Sequence, residues 1–277
     1  MKTGSFIQYN KDFDDKFRYD KKDLGAICTK EGTIFKVWSP LADRIELNIF
    51  ADGASAEYTT YDMIPGEKGT WSRKFDSNLH GTYYDYSVYR GGEATRTADP
   101  YAIGCGVNGV RSMAVDLSQT NPEGFELDKA PAKENETIIY ELHVKDFSYD
   151  EDSGVPQEYR GKYKAFTVKG TNGEYPTCVE YLRKLGVTHV HLLPMYDFGW
   201  LDEEDSGEQF NWGYDPVNYN VPEGSFSTNP HDGVIRIKEC KEMIQALHES
   251  GIRVVMDVVY NHTYEPDSWL ERMVPGY

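Results

Sequence analysis

The sequence predicts a multidomain protein in which an antiparallel β-sandwich is followed by strands and helices that alternate around a parallel sheet. Strand-length runs separated by turn residues occupy residues 24–118. The polar stretch 131–136, which contains a proline, has the composition of a linker. A length of 277 residues is enough for two cores of ordinary size. We therefore expect one domain at residues 1–130 and a second at 131–277.

Four runs in the first domain have the length and composition of strands: residues 34–38, 44–49, 83–88 and 113–117. The run 44–49 carries an apolar side chain at every second position, as a strand with one solvated face does. Turn residues such as Gly91 and Gly92 separate the runs. Short antiparallel strands joined in this way are typical of an immunoglobulin-like sandwich.

The second domain alternates apolar strands with amphipathic helices. Strands are predicted at residues 137–142, 188–193 and 252–259, and helices at 176–185 and 233–249. This alternation is typical of a parallel sheet covered by helices. A closed (β/α)8 barrel has eight such strands. The pattern therefore predicts the first three strands of an incomplete (β/α)8 barrel.

Charge and aromatic content limit the ligands that suit this chain. The formal net charge is -17, with 46 acidic against 29 basic residues, so phosphate backbones and anionic lipid headgroups are repelled. We expect no nucleic acid and no membrane surface as partners. Aromatic residues make up 14% of the chain, which suits a protein that places ring faces against a neutral ligand such as a glycan.

No metal site or targeting segment is predicted. The four cysteines are widely spaced, unlike the ligands of a zinc site or a redox pair. His189 and His191 share one strand face, but a histidine pair without a third ligand is usually structural. The acidic runs 150–152 and 202–205 lack the spacing of a calcium loop and are expected to be solvated. An apolar signal segment is missing from the first residues, so a cytoplasmic location is expected.

In parallel barrels the chemistry lies on the loops that follow the strands, and here these loops carry recognisable motifs. Residues 257–263, Asp-Val-Val-Tyr-Asn-His-Thr, resemble the first signature region of the α-amylase superfamily of glycoside hydrolases. Residues 211–230 are similar to the long loop after the second barrel strand of type I pullulanases. Residues 140–144 and 99–102 add further matches, and the resemblance extends from about residue 19 onward.

The resemblance implies a debranching enzyme. Type I pullulanases hydrolyse α-1,6 links in pullulan and in branched starch or glycogen, and their sandwich is of the starch-binding-module type. Isoamylases and branching enzymes also join a sandwich to a barrel, but the run 222–230 is most similar to pullulanases. Two alternatives stay open: the parent is an isoamylase or branching enzyme, or the chain binds glycan without cleaving it. In the second case, Trp38 and Trp71 of the sandwich are candidates for a sugar-binding platform, although a core position is expected more often.

Three residues are implied to contact the substrate. Tyr214 would present its ring to the glucose beside the scissile bond, with Trp212 in the same loop. The alternative is that both rings only pack the loop. His262 would donate a hydrogen bond to a hydroxyl of the same sugar, and its alternative is a structural histidine bonded to the backbone.

Three further residues are implied to support the site. Asp257 pairs, by the resemblance, with an arginine from a later strand that this sequence lacks, and Asp215 stands next to Tyr214. Asn261 is expected to fix its loop. In some members of the superfamily the equivalent residue helps to hold calcium, but nothing in this sequence supports a calcium site, and no cofactor is expected.

The catalytic residues themselves are not expected in this chain. A retaining glycosidase needs two carboxyl groups about 5 Å apart, and the family places them after later barrel strands. We therefore expect no glycosidase activity from the chain alone. A sheet of three parallel strands also has an open edge. Three outcomes stay open: complementation by the remaining barrel half, self-association, or stable folding of the sandwich alone.

Overall fold

The computed structural model describes four stretches of the chain: residues 9–132, 136–171, 173–205 and 207–277. They form two compact units. The first comprises residues up to 103 together with 111–116 and 265–277, and the second comprises 104–110 and 117–264.

This division differs from the boundary predicted between residues 130 and 131. The segment 117–130 belongs to the second unit because polar contacts tie it to the helix at 233–249. Lys241 donates to the hydroxyl oxygen of Thr120 at 2.7 Å, and His248 pairs with Asp128 at 2.7 Å.

The first unit is a sandwich of two antiparallel sheets, as predicted. It begins with helix α1 (Lys11–Phe17) and contains the strands β1 (Gly25–Thr29), β2 (Gly32–Trp38), β3 (Arg44–Phe50), β4 (Tyr58–Asp62), β5 (Ile64–Pro65), β6 (Thr70–Phe75), β7 (Tyr83–Arg90), β8 (Glu93–Thr97) and β9 (Ser112–Met113). One sheet has the order β1-β2-β6-β5, and the other has the order β4-β3-β7-β8 with β9 paired to β7. In β2 and β3, core residues such as Phe35, Val37, Ile45 and Leu47 alternate with less buried ones, whereas residues 83–88 of β7 are all buried.

The strand predicted at 113–117 was too long. Pairing with β7 ends at Met113, and the backbone N–H of Asp116 bonds to the ring of His80 at 3.0 Å. The residues from Leu117 to Thr120 then form a 3-10 turn.

Trp38 and Trp71 lie in the core of the sandwich rather than on its surface. Trp38 is 8% exposed and Trp71 is 9% exposed. Each indole N–H donates to a backbone carbonyl, that of Trp71 to Ser39 at 3.1 Å. The expectation of a core position is confirmed, and these rings cannot form a sugar-binding platform.

The second unit is built on a parallel sheet with the strand order β10-β11-β14. Its elements are β10 (Ile139–Leu142), α2 (Cys178–Leu185), β11 (His189–Leu192), β12 (Tyr196–Phe198), β13 (Pro216–Pro222), α3 (Gly233–Glu249) and β14 (Arg253–Met256). The three predicted parallel strands and both helices are confirmed, although β14 ends earlier than predicted. β12 and β13 form an antiparallel pair within the long loop after β11. Among the described residues, no helix is both long and apolar enough to cross a membrane.

The chain ends in the first unit rather than in the barrel segment. Helix α4 (Trp269–Met273) places Met273, which is 1% exposed, in the sandwich core. The hydroxyl of Ser39 donates to the carbonyl of Met273 at 2.7 Å, and Arg90 donates to the carbonyl of Arg272 at 3.1 Å. Residues 265–277 therefore belong to the sandwich core, although the sequence assigned them to the second domain.

Candidate functional site

The loops after β11 and β14 meet through one hydrogen bond. Asp257 directly follows β14, and its Oδ2 accepts a hydrogen bond from the Tyr214 hydroxyl at 2.7 Å. This bond, together with partial burial, raises the pKa of Tyr214 to about 12. Nε2 of His191 lies 3.7 Å from the same oxygen of Asp257. In this chain the partner of Asp257 is therefore the tyrosine hydroxyl.

Residues 211–215 form a tight turn, here called the tyrosine turn, that presents Tyr214 to Asp257. Gly213 has φ +88°, and a Cβ at this position would lie 2.8 Å from the carbonyl oxygen of Pro194, so only glycine fits. Asn211 fixes both sides of the turn, because its Oδ1 accepts from the Gly213 N–H at 2.9 Å and its Nδ2 donates to Asp215 at 2.6 Å. The predicted supporting residue Asp215 thus acts through Asn211.

The aromatic side chains of this turn are accessible. Trp212 is 60% exposed, and Tyr214 is half-buried with its hydroxyl held by Asp257. A residue that only packs a loop would bury its ring. The exposure of Trp212 thus fits the predicted ligand contact better than the packing alternative.

His262 contacts Tyr214, but its ring meets the backbone of the tyrosine and not the tyrosine side chain. Its Nε2 lies 2.7 Å from the carbonyl oxygen of Tyr214, and its own carbonyl accepts from the hydroxyl of Tyr219 at 2.6 Å. The side chain is exposed. One ring nitrogen thus holds the backbone of Tyr214, which is the arrangement given above as the alternative, and the contact with a sugar hydroxyl stays a prediction. Asn261, beside it, is exposed as well.

The histidines of β11 do not form a metal pair with each other. Nδ1 of His189 lies 2.8 Å from the hydroxyl of Thr188. His191 instead lies between two carboxylates, with Nδ1 3.5 Å from Glu141 and Nε2 near Asp257. Its ring thus lies between a side chain of β10 and the residue that follows β14.

A second polar assembly in this unit was not predicted from the sequence. Arg236, in the first turn of α3, is 0% exposed, and its Nη atoms lie 3.1 and 2.8 Å from the two carboxylate oxygens of Glu203. Nη1 also lies 3.5 Å from Asp197. Carbonyl oxygens accept further bonds from the guanidinium: those of Gly106, Pro222 and Pro230.

The expectation that the acidic run 202–205 is solvated was wrong for one residue. Glu203 is 4% exposed, whereas its acidic neighbours are exposed. Its oxygens accept from the backbone N–H groups of Asn108 at 2.7 Å and Gly224 at 3.1 Å as well as from Arg236. A buried carboxylate with this many donors is stabilised, so the residue points inward.

Three buried carboxyl groups surround the guanidinium: Asp197, Glu203 and Glu223. Burial, reinforced by the charge of Glu203, raises the pKa of Glu223 to about 7 and also raises the pKa of Asp197. Carboxylates at this spacing are also the ligand type of a hard cation. Because Arg236 already supplies a positive charge to two of them, we assign the group as an ion-pair network, here called the Arg236 cluster.

A groove of about 500 Å³ lies next to the Arg236 cluster, away from the tyrosine turn. Its lysines are engaged in holding loops. Lys145 donates to the carbonyl of Gly207 at 2.8 Å, and Lys162 donates to that of Ser225 at 2.6 Å. These lysines of the groove therefore serve to hold neighbouring loops in place.

Two family descriptions match the chain in the order of its units. Residues 23–102 match carbohydrate-binding module 48, the isoamylase N-terminal domain, and residues 177–275 match the α-amylase catalytic domain. A sandwich of this type followed by such a barrel segment places the chain in the α-amylase superfamily.

Similar proteins narrow this class. The chain is 39% identical to a pullulanase of Bacillus subtilis (strain 168) over 96% of its length, and 35% identical to the chloroplastic pullulanase 1 of Arabidopsis thaliana over 99%. A crystal structure of the Paenibacillus barengoltzii pullulanase, in complex with maltohexaose and α-cyclodextrin, superposes with a TM-score of 0.92 at 41% identity. The superposition covers 97% of this chain and 43% of the Paenibacillus barengoltzii chain. The chain thus belongs to the pullulanase family.

The matched region is a minor part of these relatives. The chain spans 36% of the Bacillus subtilis protein and 33% of the Arabidopsis thaliana protein.

We predict that Arg236→Met destabilises the second unit strongly. The substitution leaves the buried carboxyl groups of Glu203 and Asp197 without their cation, and removal of one partner from a buried pair costs about 3–5 kcal/mol. Urea unfolding should show this loss. Lys238→Met, an exposed position on the same helix, should change the free energy of unfolding by less than about 0.5 kcal/mol. Equal effects of the two variants would contradict the assigned network.

The raised pKa of Glu223 predicts a stability that falls with rising pH. The folded state keeps this proton up to a pH of about 7, whereas the unfolded chain releases it near the ordinary value of 4.5. Between these values the folded state binds more protons, so each increase in pH favours unfolding. The contribution is complete below pH 4.5 and is lost as the pH rises through 7.

Urea unfolding at a series of pH values between 5 and 8 tests this linkage. Glu223→Gln cannot titrate, so its stability should depend less steeply on pH than that of the unchanged protein. Asp99 in the sandwich, whose pKa burial raises to about 6, contributes in the same direction to both proteins and cancels in the comparison. The exposed Glu249→Gln is the control and should keep the original slope. An unchanged slope in Glu223→Gln would disprove the linkage.

Proposed function

We propose that this chain forms the glucan-binding side of the active-site cleft of an enzyme that hydrolyses α-1,6 links in branched α-glucans. The observation that carries the proposal is the hydrogen bond from Tyr214 to Asp257, which joins the loops after β11 and β14. Loops at the carboxyl end of a parallel barrel sheet are where such enzymes bind substrate. The solved Paenibacillus barengoltzii pullulanase complex, which contains maltohexaose, supports the same ligand class.

The arrangement suits binding and orientation of a sugar. A glucose ring has apolar C–H faces, and an aromatic side chain offers a flat apolar surface at small entropic cost. Asp257 fixes the tyrosine ring through its hydroxyl, while the bond from His262 to the Tyr214 carbonyl fixes the backbone. Because both the hydroxyl and the backbone of Tyr214 are fixed, the ring loses little conformational freedom when a sugar stacks on it. This lowers the entropic cost of binding.

Hydrolysis would require two carboxyl groups on either side of the bond, about 5 Å apart in a retaining enzyme. By the family resemblance these follow later barrel strands, and the proposal assigns no catalytic step to the residues of this chain. Their task is to hold the glucose beside the scissile bond in one orientation. Such positioning contributes to catalysis because it removes the entropic cost of bringing the reacting groups together.

Glycan binding by the sandwich alone is the second candidate, and the structure weakens it. The two tryptophans that could have formed a platform are buried in the core. The cleft residues Trp212 and Tyr214 are accessible instead. Binding is therefore proposed at the barrel segment.

Calorimetry with maltotriose tests the cleft through a pair of variants at one position. Tyr214→Ala removes the ring and should weaken binding about tenfold, whereas Tyr214→Phe keeps the ring face and should weaken it less than about threefold. Tyr175→Ala is a matched control, because Tyr175 is 78% exposed in the loop before α2. Wild-type affinity in Tyr214→Ala would refute the assignment of the cleft.

We also propose that the open edge of the sheet β10-β11-β14 associates with a second copy when the chain is isolated. β14 is an edge strand, and its residues Val255 and Met256 are 37% and 43% exposed. Unpaired edges with apolar side chains favour association.

Sedimentation velocity tests the association over a range of concentrations. The isolated chain should form species heavier than its 31.7 kDa monomer, and Val255→Lys should suppress them because a charge on an edge strand opposes pairing. Leu185→Lys, at an exposed position of α2, should leave association unchanged. A chain that stays monomeric at all concentrations would exclude this partner.

A further inference from the structure

Trp200 is the most unusual exposed aromatic residue of the second unit. It is 76% exposed and has φ +60°, in the left-handed region that bulky side chains rarely occupy. An indole kept in water and on a strained backbone contributes nothing to the core. Such strain persists only where the surrounding structure enforces it, and it occurs preferentially at ligand-binding sites.

The backbone around Trp200 is bonded to the same turn that presents Tyr214. Gly199 donates its N–H to the carbonyl of Asp215 at 3.0 Å, and its own carbonyl accepts from Asn211 at 2.8 Å. Asp215 directly follows Tyr214 in the chain. Trp200 is therefore held beside the proposed sugar-binding residue by two hydrogen bonds one residue away.

A tyrosine from the segment after β14 braces the indole. The ring centroids of Trp200 and Tyr264 are 5.4 Å apart with the planes at 89°, which is an edge-to-face contact. The N–H of Tyr264 donates to the carbonyl of Pro216 at 2.9 Å, so the backbone that carries this ring is fixed to the start of β13. A Cβ on Gly199 would approach the ring of Tyr264 to 2.5 Å, which explains the glycine.

We infer that Trp200, braced by Tyr264, forms a second sugar-stacking surface that extends the Tyr214 cleft to longer α-glucan chains. The inference rests on the proposed function of the cleft and adds a residue that sets preference for chain length. The charge nearby disfavours an anionic ligand, because the exposed acidic residues Asp202, Glu204 and Asp205 lie within five residues of Trp200. An anionic ligand would be repelled there, whereas a glucan would not.

Calorimetry on the full chain with two probes, maltotriose and maltohexaose, tests the inference. Trp200→Ala should weaken maltohexaose binding about tenfold and maltotriose binding less than about twofold, because only the longer ligand reaches the indole. Trp200→Phe keeps a ring and should retain most of the affinity. Tyr175→Ala, with a similar exposed fraction, should change neither constant.

The bracing role of Tyr264 has its own test. Tyr264→Ala should weaken maltohexaose binding in the same direction as Trp200→Ala. The double variant should be no weaker than Trp200→Ala alone, because the tyrosine acts through the indole. Additive losses would show that Tyr264 binds sugar independently and would overturn the bracing arrangement.

The outcomes separate this inference from the proposed function. If Tyr214→Ala weakens both probes while Trp200→Ala changes neither, the second surface is refuted and the cleft stands. If Trp200→Ala weakens maltohexaose but Tyr214→Ala has no effect, the surface stands and the cleft assignment fails. Equal weakening of both probes by Trp200→Ala would show a general disturbance of the turn and would also refute the inference.

Discussion

The second unit depends on the buried guanidinium of Arg236. A charge removed from water destabilises a fold unless partners surround it, and here Glu203, Asp197 and several carbonyl groups do so. These partners come from segments far apart in the chain, so the network fixes the long loop after β11. Asp197 lies on β12, which pairs with β13, and Phe198 stands opposite Pro216 in that pair. The tyrosine turn directly precedes β13, so the cluster sets the position of the binding residues.

Much of the fold could be predicted because burial leaves a pattern in the sequence. β2, β3 and β7 face the sandwich core. The run in β3 was recognised by its alternation, and those in β2 and β7 by their length and strand-forming composition. β4 and β8 were not predicted, because they lie at the edges of their sheet and are mostly exposed. An edge strand with two solvated faces carries no alternation. Backbone pairing with a neighbour defines it, and that is a property of the folded chain.

In the candidate site, too, the residues with a local sequence pattern were predicted and those brought together only by folding were not. Tyr214, Asp257 and His262 were predicted because their motifs stand in loops after parallel strands, and the structure brings them together. The Arg236 cluster was missed, because its members lie up to 39 residues apart and no local pattern links them. One signal was present: Arg236 falls on the same face of α3 as the buried Cys240, Met243 and Leu247. A charged residue on an apolar helix face requires a buried partner.

The carboxyl groups with the most perturbed pKa values in this unit serve the structure and not the chemistry. A glutamate with a pKa of about 7 has the protonation behaviour expected of a general acid. Glu223, however, is 0% exposed and accepts hydrogen bonds from the backbone N–H groups of Phe198 and Ser225. A general acid must reach the substrate, and this one cannot. Its raised pKa arises from burial beside Glu203, so Glu223 stabilises the loops and takes no part in the proposed orientation of a sugar by aromatic rings.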